Sequence, residues 1–572
     1  MAKLLNYQAS EKEKAEPTSK RGDQTRISRM LKRFDKAKQI KMEWRDLYSD
    51  AYEFALPQRN LYWSTGTGDQ LAVTQGQKKV SRVFDSTAPN ATINFANRIQ
   101  SDLMPPFQKW IKLAAGPMVP PALVAEVNRK LEYVTDQLFA VLQASNFDVA
   151  NNEVLLDLAI GTGCMLVLEG PLDKPVLFIP VPAPLVSLEE GPWGSVEGIY
   201  REYGQFPARH IMQQWPDAEI PEELTRLMTF SNDLEVKVDL AECTYWEPDE
   251  QHYVYEVIWG KEKKCMVYRY YKTCPWLTPR WIKVAGETYG RGPVIHALPD
   301  IKTINKITEL ILKNAAIHIS GVYTGVDDGV LNPNTVSIAP GVIIPVASNG
   351  GARGPSLMAL ARTGDFTLAT LEHDKLQLQI KQMLFDNQLP PETGKVRSAT
   401  EIIERVKELA RNIGSPFGRL LVEYIQPLVQ RTLEIMEKRQ LCEKVKVDGL
   451  GVQVQVISPL AQQQNLSEVE AVVRWLSIVG AYGQEMLILS AKLEDIGTWI
   501  GQKLGVPSSL LRTKDERSAL QTLAGQLVKM QMAKTIGANG QPAANDTGGL
   551  GAGVPAPQIG VAGQAAGLDL AA

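Results

Sequence analysis

Apolar residues recur every three or four positions through much of this chain, and the clearest stripe comes late. Ile402, Val406, Leu409, Ile413, Phe417, Leu420, Tyr424 and Leu428 fall on one face of a helix, predicted over 398–440. Ser398 and Glu401 have the spacing of a capping box, in which hydroxyl and carboxylate satisfy free amides at the helix start. Gly414-Ser415-Pro416 and then Pro427 interrupt the stripe, so the spacing predicts a kinked helix or two abutting ones. Two further helices are predicted upstream over 301–320 and 366–385. Helix, loop, helix, loop and long broken helix make a mechanical scaffold around which the remainder is organised.

From the start of the chain, residues 1–26 are polar and highly charged. A helical pattern over 27–55 uses Trp44, Leu47, Tyr48, Ala51, Tyr52 and Ala55, and Pro57 ends it. The stretch 58–79, rich in Gly, Thr and Gln, reads as a loop. Arg82–Thr87 then lead into a helix carrying Ala91, Phe95 and Ile99, stopped by Pro105-Pro106, with Asp85 or Ser86 suited to cap it. A short strand at 110–113 and helices over 121–143 and 151–160 follow. Between 165 and 287 the pattern changes to short β-branched and aromatic runs, predicting strands at 176–181, 196–200, 235–245, 253–259 and 265–271, with a helix over 206–215 among them. Strand-like valines at 445–457 precede helices at 466–478, 486–504 and 513–536. The class expected is α+β.

Composition narrows the function. With 572 residues, 44% hydrophobic and 22% charged, the chain has ordinary globular composition. The net charge of -3 excludes a surface that grips phosphate everywhere, though not a nucleic-acid partner. Five widely spaced cysteines without a CxxC argue against a disulfide framework or a zinc site. Residues 1–14 lack the apolar core of a signal peptide, and 471–491, the most apolar run, carries Arg474, Gln484 and Glu485, so no membrane span is expected. The Gly- and Ala-rich stretch 537–572, with Asp546 and Asp569 its charges, cannot build a core.

Catalytic patterns are missing. Thr393-Gly394-Lys395 resembles the end of a phosphate loop, but Leu389 stands where a glycine is required and Val396 where a magnesium-binding hydroxyl belongs. Gly161-Thr162-Gly163 lacks the third glycine of a dinucleotide fingerprint and reads as a turn. The five histidines are isolated, with His318 and His373 on the two upstream helices as packing or interhelical hydrogen-bonding residues. Glu189-Glu190 and Asp327-Asp328 sit beside glycine as solvated turn residues, and there is no GxSxG elbow. The expectation is no enzyme, no cofactor and no metal.

Several short motifs then occur in a telling order: Trp44-Arg45-Asp46-Leu47-Tyr48 leading to Leu56-Pro57-Gln58-Arg59; Arg82-Val83-Phe84-Asp85-Ser86-Thr87 with Leu103-Met104-Pro105-Pro106 and Trp110; Tyr289-Gly290-Arg291-Gly292-Pro293 followed by Asp300 and Ile304-Asn305; and Arg397-Ser398-Ala399-Thr400-Glu401-Ile402. Over 27–535 the chain resembles the portal, or head-to-tail connector, proteins of short-tailed bacteriophages, with serine at 398 where threonine is common. The resemblance implies a wing over 27–300, β-rich at 165–287, stem helices at 301–320 and 366–385, a clip at 321–365 between them, a tunnel loop at 386–397, a long kinked wing helix at 398–440 and a distal wing and helical crown at 441–536. It also implies a homo-oligomeric ring, a dodecamer, at one capsid vertex of the virion, assembled in the host cytoplasm. Double-stranded DNA would pass through it non-specifically during packaging and ejection. Partners would be the terminase large subunit, a tail adaptor, and the major capsid and scaffolding proteins.

Within that frame Asn387, Gln388, Lys395 and Arg397 are the candidate DNA-facing residues of the tunnel loop, the two basic ones for transient phosphate contact or as solvated or intersubunit charges. Ile402, Val406, Leu409 and Ile413 are the candidate wing-helix core, and Tyr323, Asp327, Asp328 and Asn332 the candidate clip surface. A tail-tube or internal core protein, and less readily a packaging enzyme, are the other readings.

Overall fold

The structure, a computed structural model, describes residues 23–62, 79–120, 123–171, 173–230, 236–260, 263–320, 323–325, 357–359, 366–386, 414–445, 447–457, 459–483, 486, 489–503, 506, 512, 516–517 and 520. Residues 1–511 form one unit and 512–572 a second, in which the described residues 516, 517 and 520 are helical. The class is α+β, as the alternation of periods predicted.

Helix α1, Gln24–Glu43, opens on Asp23, whose carboxylate accepts from the Thr25 and Arg26 amides. Its Ile27, Met30, Phe34 and Ala37 lie on one stripe and pack on Tyr200, Ala241, Cys243, Tyr245, Val254 and Ile258. The expected single helix over 27–55 is divided at Trp44, after which α2 spans Arg45–Ala55. Helix α3 is Thr87–Leu103, strand β1 Ile111–Ala115, α4 Val124–Ala144 and α5 Phe147–Ile160.

Strand β2, Met165–Glu169, lies between β3, Val176–Pro180, and the two-residue β9, Trp276–Leu277. A five-stranded antiparallel meander, in the order β4-β5-β6-β7-β8, is made of β4 Val186–Glu190, β5 Val196–Pro207, β6 Lys237–Glu247, β7 His252–Trp259 and β8 Lys264–Tyr271. Between β5 and β6 lies α6, Glu222–Phe230. Two expectations fail here. The helix predicted over 206–215 is β5 running on through Phe206 and Pro207, followed by a 3-10 turn and one helical turn, Ile211–Gln214. Pairing of Phe206 with Val238 overrides the local helical spacing. Glu189-Glu190 are no solvated turn: they end β4, where Glu189 meets Arg33 at 3.0 Å and Glu190 meets Lys283.

Helix α7 is Pro293–Ser320, beginning eight residues before the predicted start and running through Pro299. An interior proline forfeits a backbone bond at about 3 kcal/mol. Val294, Ile295, Ala297 and Leu298 are all buried, and their packing holds the helix across it. Strands β10, Tyr323–Gly325, and β11, Leu357–Ala359, pair antiparallel, and α8 spans Phe366–Met383.

Helix α9, Gly414–Leu420, passes through a π-turn at Leu421–Ile425 into α10, Gln426–Lys438. Pro427 lies just beyond that turn, so the widened register sits where a proline cannot donate to the preceding turn. The chain therefore stays helical through Pro427 by way of a π-turn. Strand β12, Val452–Val456, pairs antiparallel with β1, so that Ile111 faces Val456 across 345 residues of chain. Helices α11, Pro459–Ala481, and α12, Leu493–Lys503, follow. Most of α2 to α5, β1 to β3 and α10 feed one apolar core.

Candidate functional site: the rooting of the paired helices

Helices α7 and α8 pack on each other, and the residues that fix their inner ends to the body come from the motifs scattered through the sequence. Asn305 of α7 accepts from the Phe84 amide at 2.7 Å and the Asp85 amide at 3.3 Å, while its own amide donates to the Arg82 carbonyl at 2.9 Å. A side-chain amide has both donor and acceptor, so one asparagine can satisfy an otherwise irregular segment on both edges. Asp85 splits its carboxylate: Oδ1 accepts from the Thr87 amide at 2.9 Å, capping α3, and Oδ2 accepts from Gln377 of α8 at 3.3 Å and lies 3.5 Å from Nε2 of His373. Of the two candidate caps it is Asp85, not Ser86, whose side chain makes the bond. His373 therefore bridges α8 to the loop before α3, whereas the side chain of His318 lies outside the described residues.

The end of α8 is clamped more firmly. Phe385 takes a left-handed conformation, φ 56°, which costs a non-glycine residue roughly 1 kcal/mol or more. Its ring packs against Phe95 and Trp281 at 6.2 and 6.0 Å. Its carbonyl accepts from Arg98 at 3.1 Å, and the neighbouring Asp386 accepts from Asn94 at 3.1 Å. Two residues of α3 thus hold the chain where it leaves α8.

At the start of α7 the Tyr289–Pro293 motif is a backbone-on-backbone junction. Tyr48 donates to the Gly290 carbonyl at 2.9 Å, and Thr162 accepts from the Gly290 amide at 2.9 Å. A Cβ on Gly161 would stand 2.0 Å from the Gly290 oxygen, and one on Gly292 would stand 2.2 Å from the Ala159 oxygen. Glycine is required at both because the two backbones touch. Arg291 stacks over Trp44 at 5.1 Å and pairs with Glu287. Gly161-Thr162-Gly163 is accordingly a turn, and its Thr162 is a receptor for this loop.

Beneath these joints lie ion pairs that sequence reasoning did not single out. Arg280, fully buried, grips Glu423 of the π-turn through two bonds of 3.1 and 2.7 Å and also donates to the Thr288 and Gly194 carbonyls. Arg431 of α10 is buried, donates to Val167 and Glu434, and stacks on Tyr271 at 4.2 Å. Arg59 forks onto Asp157 at 3.1 and 3.0 Å, with Tyr52 donating to the same carboxylate. The available signal was a charge at an apolar phase: Arg431 stands in step with Leu428 and Ile435.

Elsewhere on the pair, side chains face water instead. Leu310 and Leu312 of α7 and Leu371 and Leu378 of α8 are each more than half exposed. Glu309 sits between Lys306 and Lys313, at 2.9 and 2.5 Å, and those two ammoniums hold its carboxyl down at about 2. Of the other residues singled out from the sequence, Tyr323 begins β10, opposite Ala359. Asp327, Asp328, Asn332, Asn387, Gln388, Lys395, Arg397, Ile402, Val406, Leu409 and Ile413 lie outside the described residues. Among the described residues no group of three or more His, Cys, Asp or Glu side chains could hold a metal ion, and no helix is long and apolar enough to cross a membrane.

A family described as bacteriophage head to tail connecting protein matches residues 28–511. The chain belongs to that family. It is 22% identical over 458 residues to the portal protein of Escherichia phage T7, covering 77% of this chain and 81% of that one. It is 22% identical over 483 residues to the probable portal protein of Bordetella phage BPP-1, covering 80% and 83%. The portal protein of Salmonella phage epsilon15 matches at 21% over 542 residues, 90% of this chain and 95% of that one. A solved virion of a native gene transfer agent particle matches with a TM-score of 0.32 at 10% identity, covering 79% of this chain and 99% of that one, a likeness too slight to argue from. The family is that of podovirus-type portals, and the motifs from Trp44 to Ile402 all fall inside the matched span.

Proposed function

We propose that this chain is the subunit of a structural portal ring, a dodecamer at one capsid vertex, through which double-stranded DNA passes inward during packaging and outward during ejection. The ring docks the packaging motor first and the tail afterwards, and it performs no catalysis. The observation that carries the reading is the pair α7 and α8, tied at its root by Asn305, Asp85, Phe385 and Asp386, yet carrying exposed leucines on both helices. Side chains of that kind are satisfied by neighbours in a head-to-tail contact that closes on itself. In this reading α7 and α8 are the stem, 321–365 the clip and 386–397 the tunnel loop. The helix through α9 and α10 belongs to the wing, and 441–536 supply the distal wing and crown. Lys395 and Arg397 touch phosphates in passing; a near-neutral subunit keeps such contacts few enough for DNA to slide.

Electron microscopy of the purified protein tests the ring. Closed rings with an axial hole near the width of a duplex are expected, and monomers or filaments would refute the proposal. Deleting 387–395 tests the tunnel loop: rings should persist while packaging or retention of DNA fails, and normal packaging would remove the loop from the account.

A further inference from the structure

In the turn between β4 and β5, Trp193 is fully exposed and its backbone stands in the left-handed region at φ 60°. A bulky residue rarely takes that conformation, and one that does is held there by its surroundings. Gly191 donates to the Ser195 carbonyl at 2.8 Å, and the Gly194 carbonyl accepts from Arg280 at 2.9 Å and from Lys283 at 3.3 Å. Arg280 is the same buried residue that grips Glu423. A buried arginine and a strained turn thus present an indole that its own chain leaves in water, and an indole N–H is a donor alone.

A cleft lies at the other end of α10, between α4 and residues 437–443. It encloses about 570 Å³, inside the range of roughly 300–1,000 Å³ that ligand-sized groups occupy. Tyr133 and Leu441, both exposed, give it apolar walls. Gln137 also lines it, and its Oε1 is buried without a hydrogen-bond partner. Rotation of the terminal amide turns that acceptor toward a donor in the cleft. Arg129 completes the lining, exposed and in no ion pair among the described residues.

We propose that Trp193 of one copy seats in this cleft of the next, so that each subunit supplies an anchor near one end of α10 and a receptor at the other. The indole ring covers Tyr133 and Leu441, its N–H supplies the donor that Gln137 lacks, and the Arg129 guanidinium lies against the ring face. A subunit is too long to fill its own cleft. Arg280 ties the turn to Glu423, just before α10, and the 13 residues of that helix separate turn from cleft by about 20 Å. A contact between two different patches is heterologous, and it closes only as a ring or runs on as a filament. The contact rests on the ring reading and gives it a seam distinct from α7 and α8.

Sedimentation and electron microscopy of Trp193→Gly beside the wild-type chain test it. Glycine adopts a positive φ without strain, so the dilute subunit should keep its thermal midpoint while ring formation needs at least tenfold more protein. Arg129→Glu, at an exposed position, should weaken assembly several-fold and carries the comparison should the turn variant misfold. In Trp193→Cys, a short bismaleimide should join Cys442 of the neighbouring copy, a free cysteine that lines the cleft, and Cys442→Ser should abolish the product. Wild-type rings, with normal assembly of both variants and no such cross-link, would overturn the contact, leave the ring and give the cleft to a different protein. A wild-type chain that stays monomeric would overturn both.

Discussion

The body of this chain and its paired helices differ in what they bury, although both leave apolar residues in water, Trp193 and Phe107 in the body among them. In the body, charges go inside with their partners: Arg280 with Glu423, Arg431 with Glu434, Arg59 with Asp157, Arg26 with Glu256. Along α7 and α8, apolar side chains stay outside: Leu310, Leu312, Leu371 and Leu378. The body pairs most of its buried charges within one chain, although Arg26, Glu256 and Arg431 each keep a buried polar atom with no hydrogen bond. The helical pair leaves leucines in water, where the proposed ring would bring in neighbouring copies. The two regions should therefore differ in what a mutation does: in the body it should unfold the subunit, and at the exposed leucines of the pair it should spare the subunit and, if the proposed ring closes there, break the assembly.

The largest effect expected is at the π-turn. Glu423→Ala strands the buried Arg280 cation and should cost about 3–5 kcal/mol, whereas removing both charges together in Arg280→Met with Glu423→Leu should cost far less. Urea unfolding of the two variants decides it, and equal losses would mean the pair matters only through packing. Next is the root of α7. Asn305→Ala deprives the Phe84 amide and the Arg82 carbonyl of their partner and should cost about 1–3 kcal/mol. Hydrogen exchange should show the 82–85 segment opening first. A uniform loss of protection instead would mean that the joint is not local.

Glu242 gives a smaller effect of the other sign. It lies in the meander, fully buried, accepting from Tyr255 at 2.6 Å and Tyr203 at 3.0 Å with Arg201 at 3.8 Å. Desolvation raises its carboxyl above the ordinary range despite those partners. A raised carboxyl binds its proton more tightly folded than unfolded. Its contribution is therefore most favourable below about pH 4, near the unfolded value, and declines as pH rises through the folded one. Glu242→Gln should remove that decline and stabilise the subunit by about 1 kcal/mol at neutral pH, with the gap closing toward pH 4. Denaturation curves across that range check it; a constant gap would mean the charge is not what the substitution changes.

Much of the fold was legible because its helices keep strict period: α3, α4 and α5 lie where their stripes put them, within a few residues. Strand β4 was not, since Val186–Glu190 is only five residues long and ends in two glutamates beside a glycine, the composition of a turn. What made those glutamates strand residues is Arg33 on α1 and Lys283 after β9, which no local window contains. The start of α7 was hidden for a related reason: Pro299 argues locally for a break, and only the buried side chains around it outweigh that. The joints were legible as motifs but not as contacts. Asn305 and Arg82–Asp85 were both picked out, 220 residues apart, with nothing in the string to say that one binds the other.

The smallest effect on folding should come from the exposed leucines, and it separates the two regions most directly. Leu310→Gln with Leu378→Gln alters side chains that already face water, so the unfolding free energy of the dilute subunit should move by no more than about 0.5 kcal/mol. If the helical pair is completed by neighbouring copies, the same variant loses that burial at every contact around the ring. Each leucine is already about half covered, so one kept from full burial forfeits about 1 kcal/mol, multiplied over the subunits of a closed assembly. Sedimentation of the variant should then show folded subunits that no longer form rings. Rings of normal yield would move the contact elsewhere on the chain, and an unfolded subunit would mean these leucines are packed within their own chain after all.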